Sequence, residues 1–90
     1  MLSSQLSRKH RLTLKSIFEA PTRASIRFAD IEKLFTALGG RVGEVKGSRT
    51  SLELSDNEIF LHRPEPGKEA MKYQAEAVRE ILSAAGVENG

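Results

Sequence analysis

The sequence predicts an α+β fold in which an extra N-terminal helix precedes an α-β-β-β-α core, with a three-stranded antiparallel sheet packed against the helices. Three observations predict this class. Segments 28–38 and 71–85 repeat apolar residues at helical spacing, and three short β-prone segments separated by turn residues lie between them. The 90 residues, 39% apolar and 29% charged, are enough for one modest core.

The N-terminal region is predicted to contain a tail and one short helix. Residues 1–12 are rich in Ser, Arg and Lys without a regular period, so they are expected to form a flexible basic tail. Order is expected from Thr13, within a single domain that covers residues 13–90. Pro21 ends the first helix, because proline disfavours helical backbone in the residue before it. The apolar residues on one face of this helix are Leu14, Ile17 and Phe18.

The second helix has the clearest pattern. Asp30 lies in its first turn, where a negative charge suits the helix dipole, and Gly39 with Gly40 provides the stop. Its buried stripe is predicted to comprise Phe28, Ile31, Leu34, Phe35 and Leu38.

The period then changes to that of a sheet. The three strands are predicted at Val42–Lys46, Thr50–Leu54 and Glu58–His62. In the middle strand, Leu52 and Leu54 share the buried face. Ser51 and Glu53 alternate with them and face water, so the sheet is predicted to be half-buried.

The last helix is predicted to run from Met71 to Ala85 and to stop at Gly86. Lys72 with Glu76, and Glu76 with Arg79, form opposite-charge pairs typical of an exposed helical surface. Its apolar face contains Val78, Ile81, Leu82 and Ala85. The phenylalanines Phe18, Phe28, Phe35 and Phe60 are all assigned to the core. Tyr73 is therefore the aromatic side chain left available for stacking on a nucleic-acid base.

The charge distribution favours an anionic partner. The net charge is +2, but residues 1–27 carry +5 and residues 28–90 carry −3. Such a basic arm suits nucleic acid, and a solvated N-terminus is the alternative. The chain has no cysteine, no apolar run long enough for a membrane helix and no signal-peptide core, so a cytoplasmic protein that does not contact a membrane is expected.

The local sequence from Ile31 through Val87 resembles the HicA toxins of type II toxin–antitoxin systems. The matching features are Leu38-Gly39 at the helix end, the Gly47-Ser48 turn, the segment Pro66–Glu69 and the closing Ala85–Val87. The resemblance covers about two-thirds of the chain. The α-β-β-β-α order is also that of the double-stranded RNA-binding domain, although order alone does not establish function.

The resemblance implies a small toxin that cleaves messenger RNA without a metal or cofactor and is silenced by a HicB-like antitoxin protein. Many HicA proteins place one histidine beside the Gly-Ser turn and another before the Pro-Gly-Lys segment. This chain has Arg49 and Thr50 at the first place and Glu65 at the second. Arginine binds phosphate but stays protonated, so it does not act as a general base. His62, at the end of the third strand and near the Gly-Ser turn, is the catalytic candidate, against the alternative of a structural or surface histidine.

The candidate RNA-binding residues are Lys46, Ser48, Arg49, Arg63, Lys68 and Lys72. Arg49, Arg63, Lys68 and Lys72 are expected to form one basic edge, and Gly67 with the following helix start adds backbone donors for an anion. Glu65 and Glu69 oppose phosphate in the same stretch, so ordinary surface charge is the alternative.

Other chemistries lack a motif. The sequence contains no metal-ligand spacing and no phosphate-binding glycine loop, and Ser48 has no evident base, so its Gly-Ser pair is interpreted first as turn chemistry. Two further hypotheses stay open beside the toxin: a non-catalytic RNA- or protein-binding module with the same fold, and an interaction protein that does not bind nucleic acid.

Overall fold

The computed structural model describes residues 6–19, 26–65 and 68–87. Its elements, in chain order, are α1 (Arg8–Phe18), α2 (Phe28–Ala37), β1 (Arg41–Val45), β2 (Arg49–Leu54), β3 (Asn57–His62) and α3 (Lys72–Ala84). The three strands form one antiparallel sheet in the order β1-β2-β3. The predicted α+β class, with one helix before an α-β-β-β-α core, is confirmed.

The helices cover one face of the sheet. Helix α2 packs against β1 and β2, α3 packs against β3, and α1 packs against both α2 and α3. Of the nine apolar residues predicted on the faces of α2 and α3, Ala85 is partly buried and the other eight are buried: Phe28, Ile31, Leu34, Phe35, Leu38, Val78, Ile81 and Leu82. Leu52 and Leu54 of β2 are buried against them, as the alternation in this strand predicted.

Helix α1 begins at Arg8, so the prediction that order starts at Thr13 is wrong. Ser7 is the N-cap, and its Oγ accepts a hydrogen bond from the N–H of His10 at 3.3 Å. Leu6 is buried just before this cap. A cap and one buried leucine thus extend the helix into a stretch that has no apolar period of its own. Residues 1–5 of the predicted tail lie outside the described residues.

The end of α1 is held by a side chain from α3. The guanidinium of Arg79 donates to the backbone carbonyl of Ile17 at 2.9 Å and to that of Glu19 at 3.0 Å. The first of these carbonyls lies in the last turn of α1 and the second at its C-cap, where the helix itself supplies no donor. One arginine therefore ties the first helix to the last.

Helices α2 and α3 end in the same way. Gly39 has a φ of 86° and Gly86 a φ of 80°, a backbone region that residues with a Cβ rarely adopt. In each helix the residue after the glycine donates its N–H to a carbonyl five positions back, at 2.8 Å in α2 and 2.9 Å in α3. The predicted glycine stops are therefore confirmed.

The strand boundaries lie one residue earlier than predicted at the start of each strand. A Cβ at Gly40 would lie 2.3 Å from the carbonyl oxygen of Glu53, so glycine permits the close approach with which the chain enters β1.

The segments before α2 and α3 are also joined, because the N–H of Ala70 donates to the carbonyl of Ile26 at 2.7 Å. This bond ties the segments that lead into the two helices to each other.

Candidate nucleic-acid interface

The sheet has one face that the described helices leave uncovered. Directly paired residues of antiparallel strands share a face, so the register assigns each side chain to one side. In β2, Thr50, Leu52 and Leu54 point toward the helices, and the residues between them point away. We call the second side the open face. Its residues, grouped by strand, are Arg41, Gly43 and Val45, then Arg49, Ser51 and Glu53, then Glu58, Phe60 and His62.

Four residues meet at one end of the open face, and we call them the His62 corner: Ser48, Arg49, Phe60 and His62. Arg49 is the direct cross-strand partner of His62. Ser48 Oγ lies 3.1 Å from His62 Nδ1, within hydrogen-bond distance. The prediction that His62 points toward the Gly-Ser turn is therefore confirmed. The interpretation that Ser48 has no base nearby is wrong, because strand pairing brings together residues that are 14 positions apart.

Arg49 also covers the aromatic ring of the corner. Its guanidinium carbon lies 5.5 Å from the centre of the Phe60 ring, a cation–π distance. Phe60 is 48% exposed, so its assignment to the core is wrong. The alternation of β3 explains the error: Leu61 is buried and Ile59 is half-buried against the helices, which turns Phe60 to the open face. The two-residue period of this strand was the sequence signal that could have identified Phe60 as exposed.

Sequence reasoning missed Gln74, which fixes the start of α3 beside the corner. Its side chain is 2% exposed. Its Nε2 donates to the carbonyl of His62 at 2.7 Å, and its Oε1 accepts from the N–H of Met71 at 2.9 Å. The available signal was a glutamine at the third position of a helix, a position from which it reaches back to the N-cap.

The residues of the first turn of α3 that precede Gln74 are exposed. Lys72 is exposed, and Tyr73 is 56% exposed, as the sequence predicted for this aromatic side chain. Because Gln74 bonds to the end of β3, these two side chains belong to the same end of the sheet as His62.

Arg63 does not belong to the His62 corner. Its Nε donates to Thr50 Oγ1 at 3.0 Å, its Nη1 donates to Glu44 at 3.3 Å, and its Nη2 pairs with Glu32 of α2. These partners lie on the helix-covered side of the sheet. The predicted basic edge is therefore divided, because the guanidinium of Arg49 lies on the open face and that of Arg63 is occupied on the other face.

The other predicted RNA-binding residues flank these positions. Lys46 is exposed in the turn between β1 and β2. Lys68 is exposed between β3 and α3, and it lines a small cavity together with Phe28, Arg63 and Glu65. Gly67, expected to add an anion site there, lies outside the described residues. The carbonyl of Lys68 accepts from the N–H of Phe28 at 3.2 Å, so its backbone has a structural role.

The groups at the His62 corner cover three chemical tasks. An imidazole takes up and returns a proton near neutral pH, a guanidinium binds a phosphate, and an exposed ring stacks on a base. The hydrogen bond at Nδ1 orients the imidazole. The corner is open to solvent, since Ser48, Arg49 and His62 are all exposed.

Two further searches of the described residues were negative. No group of three or more His, Asp or Glu side chains there is suited to a metal ion. In the same part of the chain, no helix combines the length and the apolar character needed to cross a membrane.

Comparisons with protein-family models, with curated proteins and with solved structures found no match for this chain. Function is therefore inferred from the residues and the geometry of the His62 corner.

Proposed function

We propose that this protein is a HicA-like toxin, or a descendant of one, that binds messenger RNA on the open face of its sheet. The observation that carries the proposal is the His62 corner, in which a solvent-exposed ring, a guanidinium and an imidazole lie together on a face that the described helices do not cover. The resemblance of residues 31–87 to HicA toxins is the reason to expect messenger RNA as the ligand and a HicB-like antitoxin as the protein partner.

The corner has the parts that single-stranded RNA recognition uses. Stacking of a base on an aromatic side chain stabilises such complexes by about 1–3 kcal/mol per base. Phe60 offers a half-exposed ring for this contact. The planar guanidinium of Arg49 is suited to the adjacent phosphate. An RNA strand bound here would lie across the ends of β2 and β3.

The charges of the open face favour this end of the sheet. Arg49 and His62 are paired directly across β2 and β3, and neither residue has a carboxylate as a cross-strand partner. At the opposite end, the Nε of Arg41 lies 4.0 Å from the Oε1 of Glu53. Glu53 is also the direct cross-strand partner of Glu58 on β3. Phosphates are therefore expected at the Arg49 end and not at the Arg41 end.

The test is binding of a labelled single-stranded RNA, followed by fluorescence anisotropy over a range of salt concentrations. Arg49→Ala is expected to weaken binding about tenfold and to lower the slope of log affinity against log salt by about one. Phe60→Ala is expected to weaken binding at every salt concentration, because stacking is less sensitive to salt.

The matched control is Arg41→Ala, which removes another exposed arginine from the same face at the acidic end. It is expected to change affinity less than twofold. Equal losses for Arg41→Ala and Arg49→Ala would show general charge attraction and no defined site. No binding of RNA at low salt would reject the proposal in favour of an interaction protein that ignores nucleic acid.

A second candidate function, RNA cleavage, is favoured by the 3.1 Å contact between Ser48 Oγ and His62 Nδ1. In this reaction His62 removes the proton from a ribose 2′-hydroxyl, whose oxygen attacks the adjacent phosphorus. The bond to the 5′-oxygen breaks, that oxygen takes up a proton from water, and His62 returns its proton to the solvent. The products are a 2′,3′-cyclic phosphate and a free 5′-hydroxyl. Arg49 balances the charge that develops on the phosphate.

Cleavage is tested with excess EDTA, because the proposed reaction uses no metal. The expected result is a set of fragments ending in a cyclic phosphate, abolished by His62→Ala and retained by His10→Ala. Intact RNA after prolonged incubation, with binding preserved, would reject the enzyme and keep the binding module.

The proposed protein partner is a HicB-like antitoxin. Expression of this chain alone in a bacterial host is expected to arrest growth, and co-expression of the adjacent open reading frame is expected to restore it. Unimpaired growth with abundant soluble chain would count against a toxin.

A further inference from the structure

We propose that two copies of this chain form a symmetric dimer by pairing their β3 strands edge to edge. This inference does not depend on the proposed function. Within the described residues, β3 pairs only with β2, so its other side is a free edge of the sheet. Natural sheets commonly protect such edges with lysine or proline, and β3 contains neither.

The hydrogen bonds of β3 identify the groups that point outward. The N–H of Arg63 donates to the carbonyl of Ser48 at 2.6 Å, and backbone groups along an antiparallel strand point alternately toward and away from the neighbour. Positions 57, 59 and 61 therefore bond to β2, and positions 58, 60 and 62 direct their N–H and C=O groups to the free edge. Gln74 occupies the carbonyl of His62. Glu58 and Phe60 thus present both backbone groups to a partner strand.

One register makes this edge complementary to itself. A two-fold axis at Phe60 places that residue opposite its own copy, with the two rings adjacent on the open face. The same register sets Glu58 opposite His62 of the second copy, a carboxylate against an imidazole. On the other face it sets Ile59 opposite Leu61 of the second copy. Moving the axis to Ile59 or Leu61 loses the Glu58–His62 pair.

Helix α3 supports the same axis. It runs antiparallel to β3, because Gln74 bonds to His62 and Ala84 lines a groove with Asn57. From 57 to 62 the strand spans about 16 Å at roughly 3.3 Å per residue. From 74 to 84 the helix spans about 15 Å at 1.5 Å per residue. The middle of α3 therefore lies beside Phe60, and a two-fold axis there relates both elements at once.

The helix surface beside β3 is also complementary to itself. Tyr73, Ala77, Glu80 and Ala84 recur at helical spacing along it, and the last three line the groove beside β3. About the same axis, Tyr73 of one copy faces Ala84 of the other, which places a large side chain opposite a small one. Tyr73 and Phe60 are two of the four large apolar residues that are exposed in the described chain. The dimer gives both a partner.

The first experiment measures mass in solution by sedimentation over a concentration series, using the full chain without RNA. The wild-type chain is expected to dimerise. Ala84→Lys is expected to raise the dissociation constant at least tenfold, because a long charged side chain then faces Tyr73 of the second copy.

Ala37→Lys is the matched control. Ala84 and Ala37 are both exposed and are the last residues of α3 and α2. Ala37→Lys is expected to leave the dissociation constant unchanged. A wild-type chain that stays monomeric at concentrations on the order of 100 µM would overturn the proposal, and equal effects of the two variants would overturn this interface.

The second experiment tests the register. The chain has no cysteine, so one introduced cysteine crosslinks only to another copy. Phe60→Cys is expected to form a disulfide dimer on mild oxidation, because directly opposed strand residues of this type have Cα atoms about 5.5 Å apart, which suits a disulfide. Glu58→Cys is expected to crosslink at most a tenth as fast, since its proposed neighbour is His62. Faster crosslinking at position 58 would overturn the proposed axis.

Discussion

The two faces of the sheet use the same three strands for different purposes. Toward the helices, Leu52 and Leu54 are buried, and the one guanidinium described above on that side, from Arg63, is held by Glu32 and Glu44. On the open face, Phe60 stays half-exposed with Arg49 over its ring. The covered face thus neutralises its charge internally, and the open face keeps a cation and a ring in contact with solvent.

This difference indicates where stability and binding lie. Substitutions on the covered face are expected to change the free energy of unfolding, because they remove buried apolar area or leave a polar group without its partner. Substitutions on the open face are expected to change association with a ligand more than folding. Chemical denaturation of paired variants can therefore test the comparison directly.

The largest expected effect is that of Leu52→Ala at the centre of the covered face. Leu52 is fully buried, so this change is expected to lower the free energy of unfolding by about 2–5 kcal/mol. In protein dilute enough to be monomeric, Phe60→Ala on the adjacent strand is expected to cost about 1 kcal/mol or less, although more side-chain atoms are removed. Urea denaturation followed by circular dichroism measures both. Similar losses would mean that the open face is packed against something in solution.

Gln74→Met is expected to lower the free energy of unfolding by about 1–3 kcal/mol, because it leaves the His62 carbonyl and the Met71 N–H without their side-chain partner. Lys72→Met, in the same turn, is the control, since Lys72 is exposed. Its expected change is within about 0.5 kcal/mol. Equal effects would contradict the anchoring role of Gln74.

The two arginines at the ends of β2 and β3 are expected to have different roles. Arg63 is expected to contribute more to folding stability, and Arg49 more to RNA binding. Arg63→Met is expected to cost about 1 kcal/mol of stability, since it breaks the contacts to Thr50, Glu44 and Glu32. Arg49→Met is expected to cost less than about 0.5 kcal/mol while weakening RNA binding. A stability loss for Arg49→Met as large as that for Arg63→Met would remove the distinction between the two faces.

The smallest expected effect is a gain. Glu58 faces Glu53 directly across the open face, and like charges in such pairs are destabilising. Glu58→Gln is expected to raise the free energy of unfolding by about 0.2–1 kcal/mol in dilute protein. Glu44→Gln is expected to change it in the opposite direction, because Glu44 pairs with Arg63. The sign of the two changes, measured by thermal denaturation at low salt, is the test.

The kinds of elements, their order and most of the core could be predicted from local sequence patterns. Apolar spacing identified α2 and α3, and glycines 39 and 86 gave their ends, because a left-handed residue after a helix strongly favours glycine. The sequence also placed His62 near the Gly-Ser turn. The start of α1 escaped this reasoning, since one serine cap and one buried leucine make no periodic signal.

Which of these residues come into contact depends on how the strands and helices pair and pack. Strand register joined Ser48 to His62 and turned Phe60 outward. It also allowed Arg63 to reach Glu32, 31 positions away, and so removed one arginine from the predicted basic edge. A local sequence pattern indicates on which side of its own helix or strand a residue lies, but not which distant residue it contacts. The partner across the sheet depends on pairing and packing between distant segments, which only the folded chain supplies.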